Sequence, residues 1–411
     1  MTARESSVHE LPIGRRVAYW RGRRSMSQQQ FADAIGKSKS WVDKVERGVR
    51  RLDKLSSLQA VADGLRVDLR LLLSKETKRE ASSDELLGRA NIDEVRAVLV
   101  RWGPVQLWPD HSVPTLGDLA KAVDHAWLAC QHAKYLDLIR SLPKLLCGAQ
   151  QVRTADPAAP EAVQRLAEAY QIASIVLSKA DINDLAWVAA DRALAASQHA
   201  DDQLLVGACA AQLGRVLLAQ GQARLAMEIG IALAHRIVPS GPLDAPADAL
   251  SVYGTLLLVA ARGAAGLGHA DSVADLLDRA GRAAAIIGDG QDHYRTVFGP
   301  VTVALARVVA TIELDPGVLD LVVHQRLVNA TAFRRLPPEH RAAYLLDAAN
   351  GFMQVGDLKA AGQAIVGADR AAKAEVRHRR QGHDLLAALL RRSAAPGFDV
   401  LRLADEMGVV V

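Results

Sequence analysis

Apolar residues recur about every three or four positions along most of the chain, which is the spacing of amphipathic α-helices. Near the N-terminus this pattern predicts five short helices, at residues 13–24, 27–35, 38–47, 54–64 and 68–73. Small polar residues stand at predicted N-caps and glycines at predicted helix ends: Ser27, Ser38, Asp68, Gly36, Gly48 and Gly64. Residues 12–73 are therefore predicted to form a compact helical domain, called the head below.

From Leu116 onward the pattern is helical almost throughout, and it repeats. Turn signals between paired helices recur every 40 to 48 residues, near Ala133, Asp181, Gly221, Gly268, Asp315 and Gly356. This spacing predicts an α-solenoid of about six helix pairs. The charged, serine-containing residues 74–91 are predicted to link the head to this body, residues 92–411. The expected fold class is all-α, a five-helix head followed by an α-solenoid.

Composition agrees with a helical fold, since half of the residues are hydrophobic and only 4% are aromatic. Charge divides the chain. Residues 1–80 hold 18 Lys and Arg against 10 Asp and Glu, whereas the remaining 331 residues hold 32 basic and 36 acidic residues, a net charge of −4. A basic head suits a polyanionic partner, although a solvated basic surface would give the same charge distribution. The abundance of Ala and Arg suggests a high-GC bacterium.

Other signals argue against an enzyme, a metalloprotein or a membrane protein. The three cysteines, Cys130, Cys147 and Cys209, lie far apart in apolar helical patterns and are expected to be core residues of a reduced protein. We find no P-loop, HExxH, GxSxG or Cys/His ligand cluster, so no catalytic residue, metal or cofactor is expected. Without a signal peptide or an uncharged membrane-length run, a cytoplasmic, nucleoid-associated protein is expected.

The segment from Met26 to Gly48, MSQQQFADAIGKSKSWVDKVERG, predicts two helices that cross at a tight turn. The apolar stripe consists of Phe31, Ile35, Val42 and Val45, with Ala32 at the crossing and Gly36 in the turn. Opposite this stripe lie Lys39, Ser40, Asp43, Lys44 and Arg47. One anchoring face and one polar face are what a helix needs to read base edges in the major groove.

These 23 residues resemble the phage repressor/Cro-type (XRE) helix-turn-helix family without gaps, and the Lys54–Gly64 helix fits it as well. The resemblance implies a transcriptional regulator that binds double-stranded DNA. It places Gln28 on a phosphate, Lys39, Ser40 and Lys44 on bases, and Arg47, Arg50 and Arg51 on the DNA backbone.

Two further residues of the second motif helix have less settled roles. Asp43 would accept a hydrogen bond from cytosine or orient Lys39 or Lys44, and Trp41 would pack beside the first motif helix, a sugar or a thymine methyl.

The helix before the motif carries five arginines, some of which would contact phosphates while the others form a solvated face: Arg15, Arg16, Arg21, Arg23 and Arg24. Because one head binds weakly, a homodimer on an inverted repeat is expected. A bundle used only for protein contacts is the alternative.

The body resembles tetratricopeptide-repeat domains in turns such as Gly268–Ala274, but its period exceeds the usual length of about 34 residues. Head and body together are similar in plan to bacterial peptide-sensing regulators of the Rgg/PlcR type. That similarity implies a peptide or small-molecule effector in a concave groove. The candidate ligand-binding residues are Arg215, Tyr253, His293, Tyr294, Arg295, Asn329 and Asn350. For each of them an ordinary surface group or capped core polar group is the favoured interpretation, and residues 292–295 are interpreted as a structural loop.

Three functions therefore stay open. The first is a ligand-responsive transcription factor, which a deep groove with inward polar residues would favour. The second is a DNA-localised scaffold whose repeats bind a protein partner, which a shallow exposed apolar face would favour. The third is a toxin–antitoxin or phage-type repressor whose body only dimerises, which a groove packed shut would favour.

Overall fold

The computed structural model describes residues 13–24, 26–50, 52, 55–65, 67, 91–100, 113–238, 244–315, 321–393 and 396–409. These ranges contain helices and no β-strand, which confirms the predicted all-α class. The chain forms two compact units, one of residues 1–87 with 405–410 and one of residues 88–404. The predicted helix 68–73, Arg51 and all of the predicted linker except Asn91 lie outside the described residues.

The head contains four described helices, each within one residue of its predicted bounds: α1 (Ile13–Arg23), α2 (Gln28–Ala34), α3 (Lys39–Glu46) and α4 (Leu55–Leu65). The predicted apolar stripe forms its core: Phe31, Ala32, Ile35, Val42 and Val45 pack with Val17, Leu52, Leu58, Val61, Ala62 and Leu65. Burial of this stripe orients α3, so its opposite face is left to solvent.

In the described part of the head, caps and turns follow the sequence signals with one exception. Ser27 Oγ accepts from Gln30 N at 3.2 Å while Gln30 Oε1 accepts from Ser27 N at 2.8 Å, a capping box at the start of α2. Gly36 has a φ of 63°, as the turn requires. Gly64 was predicted to end a helix, but it lies inside α4, where an added Cβ would stand 2.4 Å from Ile35 Cγ2. Close approach of α4 to α2 is the reason for this glycine.

The second unit is an array of helix pairs preceded by α5 (residues 91–100). The pairs are α6 (Leu116–Gln131) with α7 (Tyr135–Ala155), α8 (Pro160–Lys179) with α9 (Asn183–Ser197), α10 (Gln203–Ala219) with α11 (Ala223–Ile237), and α12 (Ala247–Gly266) with α13 (Ala270–Ile287). Then follow α14 (Pro300–Leu314), α15 (Leu321–Asn329), α16 (Thr331–Arg335), α17 (Pro338–Val355), α18 (Leu358–Ala371), α19 (Lys373–Arg377), α20 (Arg380–Arg392) and α21 (Phe398–Glu406). Helices α17 and α18 form a further pair. The first helix of each pair is called an inner helix below.

The turns between paired helices lie where the sequence predicts them. Five of the six predicted turn residues have a positive φ, namely Ala133 (54°), Asp181 (60°), Gly221 (73°), Gly268 (75°) and Gly356 (82°). After the first four, the next N–H donates to a carbonyl five residues earlier: Lys134 to Ala129 (2.9 Å), Ile182 to Leu177 (2.9 Å), Gln222 to Leu217 (2.8 Å) and His269 to Ala264 (2.9 Å). This is the Schellman motif, so the first helices of these four pairs end with the same geometry.

Two described segments are long and apolar enough to cross a membrane by length and composition, Ala247–Gly266 and His293–Leu314. Most of the first lies buried inside the body, as the core helix of a helical array does. Arg262 in the first segment forms an ion pair with Glu313 in the second, and Arg307 in the second pairs with Asp278.

Candidate DNA-binding face and inner surface of the body

Helix α3 presents the predicted recognition face to solvent. Lys39, Ser40 and Lys44 are exposed, whereas Val42 and Val45 on the opposite side are buried. Ser38 Oγ caps the helix by accepting from Trp41 N at 3.2 Å. The cap and the buried stripe together fix where the two lysines point.

The remaining polar and aromatic residues of α3 have partners within the head. Asp43 forms an i,i+4 ion pair with Arg47 and not with either lysine that sequence reasoning offered it. Trp41 is half-buried against the core of the head, and the guanidinium carbon of exposed Arg50 lies 5.9 Å from its ring centroid. Trp41 therefore anchors α3 and positions Arg50 beside the helix end.

One buried carboxylate joins the three helices of this face. Glu46, at the end of α3, accepts from Arg21 Nε at 2.6 Å and Nη2 at 3.0 Å on α1, and from Gln28 Nε2 at 2.8 Å on α2. Arg21 Nη1 also donates to Met26 O at 2.7 Å, and the hydrogen bond to Glu46 raises the pKa of Arg21. Arg21 thus holds the head together. The amide of Gln28 is already oriented by Glu46, and its phosphate contact stays a prediction.

The candidate ligand-binding residues of the body do not form one cluster. Tyr253 is 2% exposed in α12, with its hydroxyl 3.4 Å from Arg279 Nε. Asn329 ends α15, and its carbonyl accepts from Arg334 Nη2 at 2.8 Å. Arg215 on α10 and Asn350 on α17 share a position in the repeat, since each is exposed and stands six residues before a positive-φ glycine.

The other three candidates, His293, Tyr294 and Arg295, lie in the loop of residues 288–299. Tyr294 Oη donates to Asp202 Oδ2 at 2.9 Å, and Arg295 Nη2 donates to Asp124 Oδ1 at 2.8 Å. Three non-glycine residues there have positive φ: Tyr294 (50°), Arg295 (57°) and Val297 (51°). Positive φ is costly for such residues, above all for a β-branched valine, so the surrounding contacts must hold the loop in place. Phe298 anchors it, because its ring fills the space that a Cβ on Gly254 would need.

A buried ionic cluster joins helix pairs that are far apart in sequence. Lys179, the last residue of α8, pairs with Glu339 at the start of α17 and places Nζ 2.9 Å from Glu375 Oε1 on α19. Glu375, fully buried, also accepts from Arg379 Nη1 at 2.6 Å and from the hydroxyl of Tyr135 on α7. Burial opposes ionisation of Glu339, but the charges of Lys179 and His340 outweigh it and hold the pKa of this carboxyl well below its ordinary value.

The head, and not the body, matches a known domain family. Residues 12–73 match the helix-turn-helix domain family, so the chain carries such a domain at the position predicted. A search of curated proteins gives no match. Among solved structures the chain is similar to PlcR of Bacillus thuringiensis, in complex with the peptide PapR7 and DNA. The identity is 11%, the TM-score is 0.30, and the match covers 67% of this chain and 95% of that one. A TM-score of this size does not establish a common fold along the body.

Proposed function

We propose that this protein is a sequence-specific DNA-binding transcriptional regulator whose head is of the XRE type. The observation that carries the proposal is the solvent-exposed face of α3 inside the matched domain, where Lys39, Ser40 and Lys44 are free to meet base edges. Arg47 and Arg50 lie beside that face, at the positions expected to contact the DNA backbone. The protein would act in the cytoplasm, on the nucleoid.

The proposal is tested by selecting bound sequences from a random library and measuring their affinities for variants of the full chain. Lys44→Ala should weaken discrimination at one or two base positions by about 1–3 kcal/mol. Arg50→Ala should weaken all sequences alike and lower the salt dependence by about one counterion. Lys359→Ala, which removes an exposed charge from the body, is the matched control. Unchanged discrimination by Lys44→Ala would remove the recognition-face assignment.

The regulator is proposed to act as a homodimer on an inverted repeat, with half-sites roughly 34 Å apart. Support comes from the limited number of phosphates that a head of this size can reach, which makes a single head a weak binder. Footprints of purified protein should show two protected half-sites, and sedimentation should give a dimer at the concentrations that protect them. A monomer that protects one half-site would contradict this arrangement.

The body is proposed to bind a peptide or small-molecule effector that changes the spacing of the two heads. Exposed Arg215 and Asn350 on inner helices support this, because polar residues at the same repeat position suit a ligand on one surface. An effector can shift the equilibrium only as far as it binds one state better. Footprints gained or lost on addition of cell extract would support an effector, whereas unchanged footprints would remove it for that extract.

A DNA-localised scaffold is the second candidate, and a specific surface favours it. Helices α9, α10 and α11 form a shallow, mainly apolar groove of about 590 Å3, in which Trp187 is 42% exposed and Leu225 is 46% exposed. Exposed aromatic and aliphatic residues in one groove are typical of protein-binding surfaces. Trp187→Glu should then abolish capture of a partner protein and leave operator binding intact. A variant that still captures the partner would exclude this groove as the scaffold site.

A further inference from the structure

Two arginines occupy equivalent positions on neighbouring inner helices. Arg215 on α10 stands six residues before Gly221, and Arg262 on α12 stands six residues before Gly268. Both are exposed, and both turns have the same Schellman geometry. The repeat therefore supplies a matched pair in which only the surroundings of the guanidinium group differ.

Arg262 is saturated by carboxylates. Its Nε lies 3.0 Å from Glu313 Oε1 on α14, and its Nη1 lies 3.4 Å from Asp347 Oδ2 on α17. The charge of Asp347 raises the pKa of Arg262, and the charge of Glu313 raises it further, although burial acts in the opposite sense. Two other cations of the inner helices are paired in the same way, Lys179 with Glu339 and Arg165 with Glu168.

Arg215 has no ion pair among the described residues. Its one contact is with an amide, since Nη1 stands 3.4 Å from Gln212 Oε1. Gln212 is itself held in place, because its Nε2 donates to Ser174 Oγ on α8 at 3.2 Å. Surrounding protein desolvates the guanidinium and lowers the pKa of Arg215, although Glu339 acts in the opposite sense.

Arg215 is exposed, so an anion in solution can reach its guanidinium group, and its only hydrogen-bond partner among the described residues is a neutral amide. The contact with Gln212 uses one N–H group and leaves the rest of the planar fork open, which suits two-point binding of a carboxylate or a phosphate. We propose that Arg215 is the anchor of an anion-binding site on the inner helices, for a ligand that carries a carboxylate or phosphate group. The site deepens the proposed effector binding and rests on it.

Thermal unfolding of the full chain tests the site with defined probes. The probes are sodium pyrophosphate, an all-alanine pentapeptide with a free C-terminal carboxylate, and the same peptide amidated, all at one ionic strength set with sodium chloride. Pyrophosphate or the free peptide should raise the Tm of the parent chain by about 2–4 °C. Arg215→Gln should lose the rise, whereas Arg282→Gln, which changes an exposed arginine on α13, should keep it.

The probes separate the two sources of the anionic group. A rise with pyrophosphate alone identifies a phosphate ligand, and a rise with the free peptide alone identifies a carboxylate. An equal rise with the amidated peptide, an equal rise in Arg215→Gln, or no rise with any probe overturns the proposal. A measurement without any variant is the modification of Arg215 by phenylglyoxal in the parent chain, followed by peptide mass mapping. The effective probe should slow it at least threefold, and an unchanged rate overturns the proposal.

Footprints recorded with the same probes keep this inference distinct from the proposed effector function. An Arg215-dependent rise in Tm with unchanged footprints supports the anion site and contradicts its regulatory role. Footprints that change in the presence of a probe, and change equally in Arg215→Gln, support an effector that binds elsewhere and overturn the site.

Discussion

The head and the body both depend on a buried carboxylate, but at very different separations along the chain. Glu46 joins α3 to Arg21 and Gln28, which lie 25 and 18 residues away. Glu375 accepts from Tyr135, 240 residues away, and pairs with Lys179. The head therefore fixes the geometry of one small reading surface, whereas the body ties distant repeats to each other. A buried carboxylate thus fixes neighbouring helices in the first unit and joins helices of distant repeats in the second.

The largest effect should come from Glu375→Ala. The substitution leaves Arg379 without its buried partner and Lys179 with Glu339 alone, which should cost about 3–5 kcal/mol of unfolding free energy. Urea unfolding followed by circular dichroism measures it. Glu228→Ala on the exposed side of α11 is the control and should change little. A loss below about 1 kcal/mol would mean that the distant repeats do not depend on this carboxylate.

The matching change in the head, Glu46→Gln, should have a smaller but functionally sharper effect. It replaces a carboxylate that accepts charged hydrogen bonds from Arg21 and should cost about 1.5–3 kcal/mol. Operator affinity should fall with it, because an amide keeps only one acceptor oxygen and the link of α3 to α1 and α2 is weakened. Asp63→Asn, at an exposed position of α4, is the control. If Glu46→Gln kept full operator affinity, the carboxylate would not be needed to position α3 for DNA binding.

Next in size are exchanges at the repeated turns. Ala133 and Gly268 both have positive φ in the same motif, yet only glycine adopts that conformation without strain. Ala133→Gly should stabilise the body by about 1 kcal/mol, and Gly268→Ala should destabilise it by a similar amount. Chemical denaturation of both variants gives the two signs. Equal signs would show that the turn geometry does not govern the effect.

The smallest effect at neutral pH belongs to the titration of Glu339. Its pKa in the folded chain is lowered, so its contribution to stability is complete above the ordinary value of 4.5 and is lost as the pH falls below that value. The denaturation midpoint should therefore drop more steeply with acid in the parent than in Glu339→Gln. Parallel curves for the two proteins would contradict the ion pair with Lys179.

Much of the fold follows from local signals in the sequence. Caps such as Ser27 and the turns at Gly221 and Gly268 are decided by residues a few positions apart, so their places could be predicted. Gly64 was given the wrong role, because its requirement comes from Ile35 on another helix. Glu46 could have been noticed as an acidic residue in a basic segment that ends on a buried face. No periodicity reveals that Lys179 meets Glu375, since the two belong to different repeats.

The candidate sites divide in the same way. Exposure of Lys39 and Lys44 could be predicted, because the stripe of Val42 and Val45 determines it. The contrast between Arg215 and Arg262 could not be predicted from the sequence, because it depends on Glu313 and Asp347, which come from later repeats. A residue type at a repeat position is thus visible in sequence, while its counter-ion is not.

The loop of residues 288–299 has a mechanical consequence. Through Asp124, Asp202 and Ser251 it is bonded to α6, α10 and α12, the inner helices of the first, third and fourth pairs. A brace across these helices restrains their spacing, because each would have to break a polar contact to slide past its neighbours. The early pairs then behave as one stiff unit. The ion pairs of Lys179 with Glu339 and Glu375 carry this restraint on to α17 and α19, beyond the reach of the loop itself.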